Sequence, residues 1–383
     1  MIGELPDFRL ETWFSTWEFA AAHTFTASDA QTMSVTEVLG LAGLTLDDLG
    51  GIDLGYRPTH GTPELRQAVA TQYDIVTPDD VLAFAGAQEA LFWVLAVLLR
   101  DGGHAVVTVP NYQSIETVPL ASSASVSGLP LWTGSGSDLR WTLDLDRLAS
   151  LLRPDTRVVV VNFPNNPTGF VPDRETFISL ARTCHERGIV LVSDEVYRGI
   201  EVDPMDTLPH AADVTPSAVS VNVMSKSYGL PGLRIGWVAT RDRVLLNRLE
   251  RRKHYTSICN PGLTEHLAAV ALGAGATIHD RNRAIVAGNI DLVRGFFADH
   301  PDLFEFEAPL GGCVSFPRYL GIDGPDEFAR RAVEEAGVLT LPASIYASSL
   351  ATVPNDRIRI GFGRTGLTAT LDALRTHLDD RSA

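Results

Sequence analysis

At 383 residues, 45% of them hydrophobic and 20% charged, the chain has an ordinary globular composition and the length for two domains of roughly 100–200 residues each. A formal net charge of -16 argues against general affinity for nucleic acid or an anionic membrane, but not against a small anion in a local basic pocket. Cys184, Cys259 and Cys313 have no metal-like spacing and read as buried thiols in a reducing compartment. The start M-I-G-E-L-P-D-F lacks a secretion pattern and no apolar run reaches about 20 residues, so a cytoplasmic location without a membrane span is expected.

Residues 1–50 read as an arm that packs on the body. Leu10 to Phe19 has the pattern of an amphipathic helix with aromatics on one side, expected to serve packing. Ser34-Val35-Thr36-Glu37 has capping-box spacing and opens a short helix through Leu41. From residue 51 the pattern becomes regular. G-Y-R-P-T-H-G is a turn, and Thr62-Pro63-Glu64 starts a helix through Tyr73. Val81–Phe84 is a strand, and Gly86-Ala87-Gln88 turns into an apolar helix ending near Leu99. Ala105 to Val109 is a strand followed by P-N-Y, with another helix start after it. Val158 to Val161 is a strand stopped by N-F-P-N-N-P-T-G, followed by a helix over 174–187. Ile189 to Val192 ends in S-D-E, Val219–Val223 in M-S-K, and Ile235 to Ala239 is a further strand. Buried β-branched runs alternating with helices imply a largely parallel or mixed sheet covered on both faces.

Residues 242–272 read as helical, and a long helix runs from about 280 to 300. Short strands over 304–306 and 313–316, a helix over 325–336, and a strand from Val338 to Leu341 follow. Arg357 to Phe362 then alternates with period two, and a helix over 367–379 closes the chain. The expected division is an arm over 1–50, a large domain over 51–275 and a small α+β domain over 276–383.

In an open α/β sheet the carboxyl ends of the strands form the ligand crevice. Gly86 to Gln88, Tyr112, Asn166, Asp194, Tyr197 and Lys226 all fall just after a strand. The run V-S-V-N-V-M-S-K-S-Y-G-L-P-G-L-R-I-G-W-V, from Val219 to Val238, is the most distinctive. A lysine closes one strand, an arginine follows eight residues on, and glycine and proline between them force tight backbone that draws the two cations together. A lysine held there can form an imine with an aldehyde.

These motifs, in this order from Gly51 onward, resemble the class I/II aminotransferases, the large fold-type-I group of pyridoxal 5'-phosphate enzymes. The resemblance implies a large α/β/α domain with a mixed, mostly parallel sheet plus a small α+β domain, and a homodimer with shared active sites. It implies that Lys226 is the Schiff-base lysine. Asp194 would partner the pyridine nitrogen, and Tyr197 and Asn166 would donate to the ring 3-oxygen. Gly86, Ala87, Gln88, Ser225 and Arg234 would hold the phosphate, since a helix N-terminus and a planar guanidinium both suit an anion. Val223 stands where the family usually has a hydroxyl. Tyr112 resembles the aromatic over the ring, and Tyr56 the residue that reaches the partner subunit's cofactor phosphate. Arg359, with Asn166 beside it, resembles the fork for the substrate α-carboxylate. Spacing alone does not separate Arg359 from Arg357, two residues earlier on the same strand.

The resemblance implies transamination between an L-amino acid and a 2-oxo acid. The arm, the H-G-T-P turn and the lysine run also resemble the capreomycidine-synthase-like branch, which eliminates and cyclises hydroxylated arginines. Thr24 to Ser34 lacks the glycine loop of ordinary members. For a cationic side chain, Glu11, Glu18, Asp29 and Glu116 are the candidate acids.

Overall fold

The computed structural model describes residues 3–122 and 124–382. Its centre is a seven-stranded sheet in the order Val81–Phe84, Gly236–Ala239, Val219–Val223, Val190–Asp194, Thr156–Asn162, His104–Val109, Ser125–Pro130. Every pairing is parallel except the two made by Gly236–Ala239. The strands on either side of that one are buried along their whole length, as the continuous apolar runs require when helices cover both faces.

The two faces follow from the period-two alternation. Leu82, Phe84, Val107, Val160 and Val192 pack against Leu91, Val94 and Leu95 of helix Ala87–Leu98. On the opposite face, Val106, Val159, Val161 and Leu191 meet Phe177, Leu180 and Ala181 of helix Arg174–Glu186. There too, Val81, Ala83 and Trp237 meet Leu65 and Val69 of helix Pro63–Ala70 and Leu267, Ala268 and Ala271 of helix Gly262–Gly273.

A second, smaller core holds the α+β part. Phe296 and Phe297, at the end of the long helix Gly275–Ala298, pack with Phe304, Tyr319, Phe328, Leu371 and Leu374. Its three-stranded sheet runs Val314–Ser315, Ile358–Gly361, Leu341–Pro342. The arm joins it. Strand His23–Thr24 pairs in parallel with Val338–Leu339, and Phe25 bonds both Leu339 and Gly361 through its backbone. Helix Arg9–Trp17 lies against Phe316, Leu341, Ile345 and Tyr346. Close approach of arm and sheet depends on two glycines. A β-carbon at Gly361 would sit 2.2 Å from the Ala27 carbonyl oxygen, and one at Gly363 2.0 Å from that of Asp29.

The expected elements differ from the structure in a few places. Ser125–Pro130 is an edge strand bonded only to His104–Val109; its serines and glycine carry no apolar alternation to betray it. Val338 to Leu341 is two strands in two sheets, one paired with the arm and the other with Ile358–Gly361. The helical stretch over 242–272 breaks between Lys253 and Gly262, where Ile258 takes a positive φ of 62° and Pro261 follows. The helix from Pro63 ends at Ala70 rather than Tyr73. The short helix Val35–Gly40 has the expected capping box from Ser34 and Glu37. Cys184 and Cys313 are buried and Cys259 is half-buried. Among the described residues, no helix is long and apolar enough to cross a membrane, and no cluster of His, Cys, Asp or Glu is arranged to hold a metal.

Candidate active site

A cavity of about 550 Å³ opens at the carboxyl ends of the parallel strands, between the large sheet, the small domain and the arm. Ala87, Gln88, Tyr112, Asn166, Asp194 and Tyr197 line it, with Ser225, Lys226, Arg234 and Arg359. They come from six separate chain segments, so only the sheet topology brings them together.

Lys226 follows strand Val219–Val223 and is half-buried at the cavity floor. Its Nζ donates to Ser28 Oγ at 2.8 Å, and its backbone carbonyl accepts from the Ala30 N–H at 3.1 Å. The arm is thereby fastened to the lysine. Burial lowers the ammonium pKa, with the Asp29 carboxylate opposing that shift.

Asp194 ends the neighbouring strand, in register with Asn162. One carboxyl oxygen accepts from the Val196 N–H at 3.3 Å, and the Asn162 amide fixes the Asp194 carbonyl at 3.1 Å. Burial raises its pKa to about 7; Glu195 adds to this, while the Val196 bond and Lys226 oppose it. Tyr197, three residues on, is buried, and its hydroxyl makes no geometrically formed hydrogen bond among the described residues, with Ser28 beside it.

Arg359 is 0% exposed. It donates to Thr26 Oγ1 at 3.2 Å, the Thr26 carbonyl at 2.7 Å, Asn166 Oδ1 at 3.2 Å and the Tyr346 hydroxyl at 2.7 Å. All four acceptors are neutral, and its guanidinium lies over the Phe14 and Tyr346 rings. A buried guanidinium without a carboxylate partner among the described residues is poised for one from a ligand. Asn166 Oδ1 also accepts from the Tyr346 hydroxyl at 3.1 Å. An arginine only donates, so the amide atom facing it is the oxygen and the NH2 is left for other acceptors. Arg357 is directed elsewhere: it donates to the Phe316 carbonyl and lies over the Trp141 ring, outside the cavity. Of the two arginines, Arg359 lines the cavity, while Arg357 stands just before strand Ile358–Gly361.

At the other end, Gly86 caps helix Ala87–Leu98 with φ 100°, and a β-carbon there would lie 2.5 Å from Arg234 Nη2. Gly236 lies beneath the same turn, where a β-carbon would fall 2.7 Å from the Ala87 nitrogen. Arg234 itself is left-handed, φ 52° and ψ 44°, and donates to the Ala85 carbonyl at 3.2 Å. The first-turn N–H groups of Ala87 and Gln88 have no carbonyl to bond within their helix. They converge with Arg234 on one anion-sized place.

Tyr112 leans on Phe8, ring centroids 5.0 Å apart, and donates its hydroxyl to Glu11 at 2.9 Å. Glu11, Glu18 and Asp29 line the cavity; Asp29 is engaged by Arg364 in a two-point bridge at 3.1 and 2.8 Å. Glu116 does not belong there. It is buried beneath the loop at Ser348 and Ser349, accepting from Asn111, Ser348 and Ser349. The arm aromatics are not confined to packing: Phe8 and Phe14 form cavity wall. Tyr56 is 89% exposed and outside the cavity of its own chain.

Ser28, Thr26, Tyr346 and Asn162 were not marked by the sequence. Asn162 opens the N-F-P-N-N-P-T-G run, whereas Ser28, Thr26 and Tyr346 lie in segments without a motif and reach the site through tertiary contact alone. The glycines of R-I-R-I-G-F-G, spaced by two beside Arg359, were the readable signal for the approach of residues 27–29.

These features fit pyridoxal 5'-phosphate. The cup at Gly86 and Arg234 suits a phosphate. Among the described residues the buried Asp194 carboxyl is bonded by backbone and the Tyr197 hydroxyl forms no hydrogen bond, and an amine lies within the same cavity.

Comparison with known proteins agrees. A family model for "Aminotransferase class I and II" matches residues 36–378. Capreomycidine synthase of Streptomyces vinaceus is 30% identical over 386 aligned positions, covering 98% of this chain and 96% of its own. A pyridoxal-phosphate-dependent aminotransferase from Streptococcus suis superposes with a TM-score of 0.90 at 29% identity, over 98% of both chains. The pyridoxal-phosphate-dependent cyclase OrfR superposes with a TM-score of 0.88 at 27% identity, over 99% of this chain and 98% of its own. With sequence and backbone agreeing over nearly the full length, the chain belongs to the class I and II aminotransferase family and is a fold-type-I enzyme dependent on pyridoxal 5'-phosphate.

Proposed function

We propose that the protein is an aminotransferase that moves an amino group between an L-amino acid with a cationic side chain and a 2-oxo acid. The observation that carries this reading is the placing of Lys226, Asp194 and the buried Arg359 around one cavity. When bound, the cofactor supplies an aldehyde for the amine and a ring that withdraws electrons from the substrate α-carbon.

The chain's residues do the rest. Lys226 Nζ would hold the cofactor aldehyde and carry the substrate α-proton. Its lowered pKa favours the neutral amine that this requires. Asp194 would keep the ring nitrogen protonated. The Tyr197 hydroxyl and the Asn166 NH2 would donate to the ring oxygen. Tyr112 would cover the ring, while Arg234, Ser225 and the Ala87 and Gln88 N–H groups would take the phosphate. Arg359 clamps the α-carboxylate and so fixes which substituent faces Lys226.

Glu11 and Glu18 support the cationic side chain, since they line the cavity without a cation partner among the described residues. A homodimer is supported by exposed Tyr56 and the exposed apolar Leu54, Tyr255 and Ile258, with Tyr56 reaching the partner subunit's phosphate.

The test is a single turnover. Holoenzyme without an oxo acid is mixed with arginine, lysine, ornithine, glutamate or leucine, and the aldehyde absorbance is followed. The basic amino acids should convert the cofactor to its amine form. Conversion by none of a full panel would rule transamination out. A second reading, elimination and ring closure on a hydroxylated arginine, is favoured by full-length similarity to capreomycidine synthase, arm included. It requires product from hydroxyarginine with no oxo acid and no build-up of the amine form.

A further inference from the structure

A buried lysine outside the cavity joins the two turns that carry the proposed phosphate ligands. Lys253, the last residue of helix Arg243–Lys253, is 0% exposed. Its Nζ donates to the Thr59 carbonyl at 2.7 Å and to Asn260 Oδ1 at 2.9 Å. Asn260 passes the connection on, donating its NH2 to the Arg234 carbonyl at 3.3 Å. An ammonium has no lone pair to offer, so the amide oxygen must face it and the NH2 is committed to Arg234.

Thr59 lies in the same turn as Tyr56. That turn is held a second time where Glu265 accepts the Thr62 N–H at 2.7 Å. Arg234 is left-handed, a conformation that residues other than glycine keep only when their surroundings impose it. The Asn260 bond to its carbonyl is part of that imposition.

Lys253 has no ion pair among the described residues. Its two acceptors are neutral, and the Phe84 ring lies 5.8 Å below. Burial pulls its pKa down to about 8, with Glu89 and Glu265 opposing, so it stays charged at neutral pH. Burying an ammonium is costly, and an apolar side chain of similar length would fill the space at less cost. The charge is explained by what it ties together.

We propose that Lys253, through Asn260 and the Thr59 carbonyl, is a positioning residue for cofactor phosphate, setting Arg234 in its own cavity and Tyr56 toward the partner subunit's. This rests on the phosphate assignment proposed above. The full-length protein, stripped of cofactor, is titrated with pyridoxal phosphate and separately with pyridoxal, which lacks the phosphate, reading absorbance of the bound aldehyde. In Lys253→Met and Asn260→Ala, affinity for the phosphorylated form should fall at least about tenfold, the worth of one charge-assisted hydrogen bond, while that for pyridoxal stays within about twofold.

Equal losses for both ligands would mean a merely structural role and would overturn the proposal, as would no loss for either. Should Lys253→Met fail to fold, Asn260→Ala decides, since it keeps the ammonium and its Thr59 bond. A wild-type protein that does not distinguish the two ligands would instead sink the phosphate assignment itself, and the brace with it.

Discussion

Replacing Asp194 with asparagine should push the protein in opposite directions with and without cofactor. Asparagine keeps the shape and can still accept the Val196 N–H now bonded to Oδ1 at 3.3 Å. In the chain alone, burial raises the carboxyl from its ordinary 3.8 to about 7. The unfolded chain gives up this proton near pH 4 and the folded chain near pH 7. Stability contributed by the group therefore falls as pH rises between those values and is flat above them. Each pH step costs about 1.4 kcal/mol, so the whole window costs ~4 kcal/mol. Asparagine removes that cost but leaves a buried NH2 unpaired, about 1–3 kcal/mol, so a net gain of about 1–3 kcal/mol is expected at pH 8 and little or a loss at pH 4. With cofactor bound the sign reverses. The ring nitrogen loses its anionic partner, cofactor affinity should drop about 10–100-fold, and turnover by several orders of magnitude. Urea denaturation of stripped wild type and Asp194→Asn at pH 4 and 8, followed by circular dichroism, measures the first effect; cofactor titration and steady-state kinetics measure the second. A variant no more stable at pH 8 than at pH 4, relative to wild type, would refute the burial argument. Near-normal kcat/KM would refute the ring-nitrogen role.

Lys226→Ala should abolish borohydride-trapped cofactor and turnover together; mass spectrometry of the reduced protein that still finds a covalent adduct would remove the lysine from its role. Arg359→Lys keeps the charge but loses the planar fork, so kcat/KM should fall at least about 100-fold, mainly through KM, while the cofactor spectrum stays put. Tyr346→Phe removes the hydroxyl that bridges Arg359 and Asn166; it should raise KM by about tenfold, one charge-assisted hydrogen bond, with a stability loss near 1 kcal/mol in thermal melts. Gly86→Ala combines a positive φ with a β-carbon 2.5 Å from Arg234, so it should cost about 1–3 kcal/mol of stability and weaken binding of pyridoxal phosphate more than that of pyridoxal.

Much of this was legible in one dimension. Strands such as Val81–Phe84 and Val219–Val223 are buried on both faces, so their side chains are apolar throughout and their ends are marked by glycine and polar residues. Lys226, Asp194 and Asn166 stand just past such ends, which is why sheet topology alone carries them into one crevice. Local capping at Ser34 is likewise nearest-neighbour chemistry.

The apolar rhythm of the large sheet, and the identity of the polar groups at its strand ends, can therefore be read from the chain in one dimension. Tertiary structure alone decided which of two arginines enters the cavity, which of four acids face it, and that Ser28, Thr26 and Tyr346 belong to it. Those outcomes depend on contacts between segments far apart in the chain, such as Thr26 with Arg359, 333 residues apart. Whether such segments meet is set by the packing of two domains and an arm, with glycines at 361 and 363 permitting the approach, and no local period in the chain encodes that.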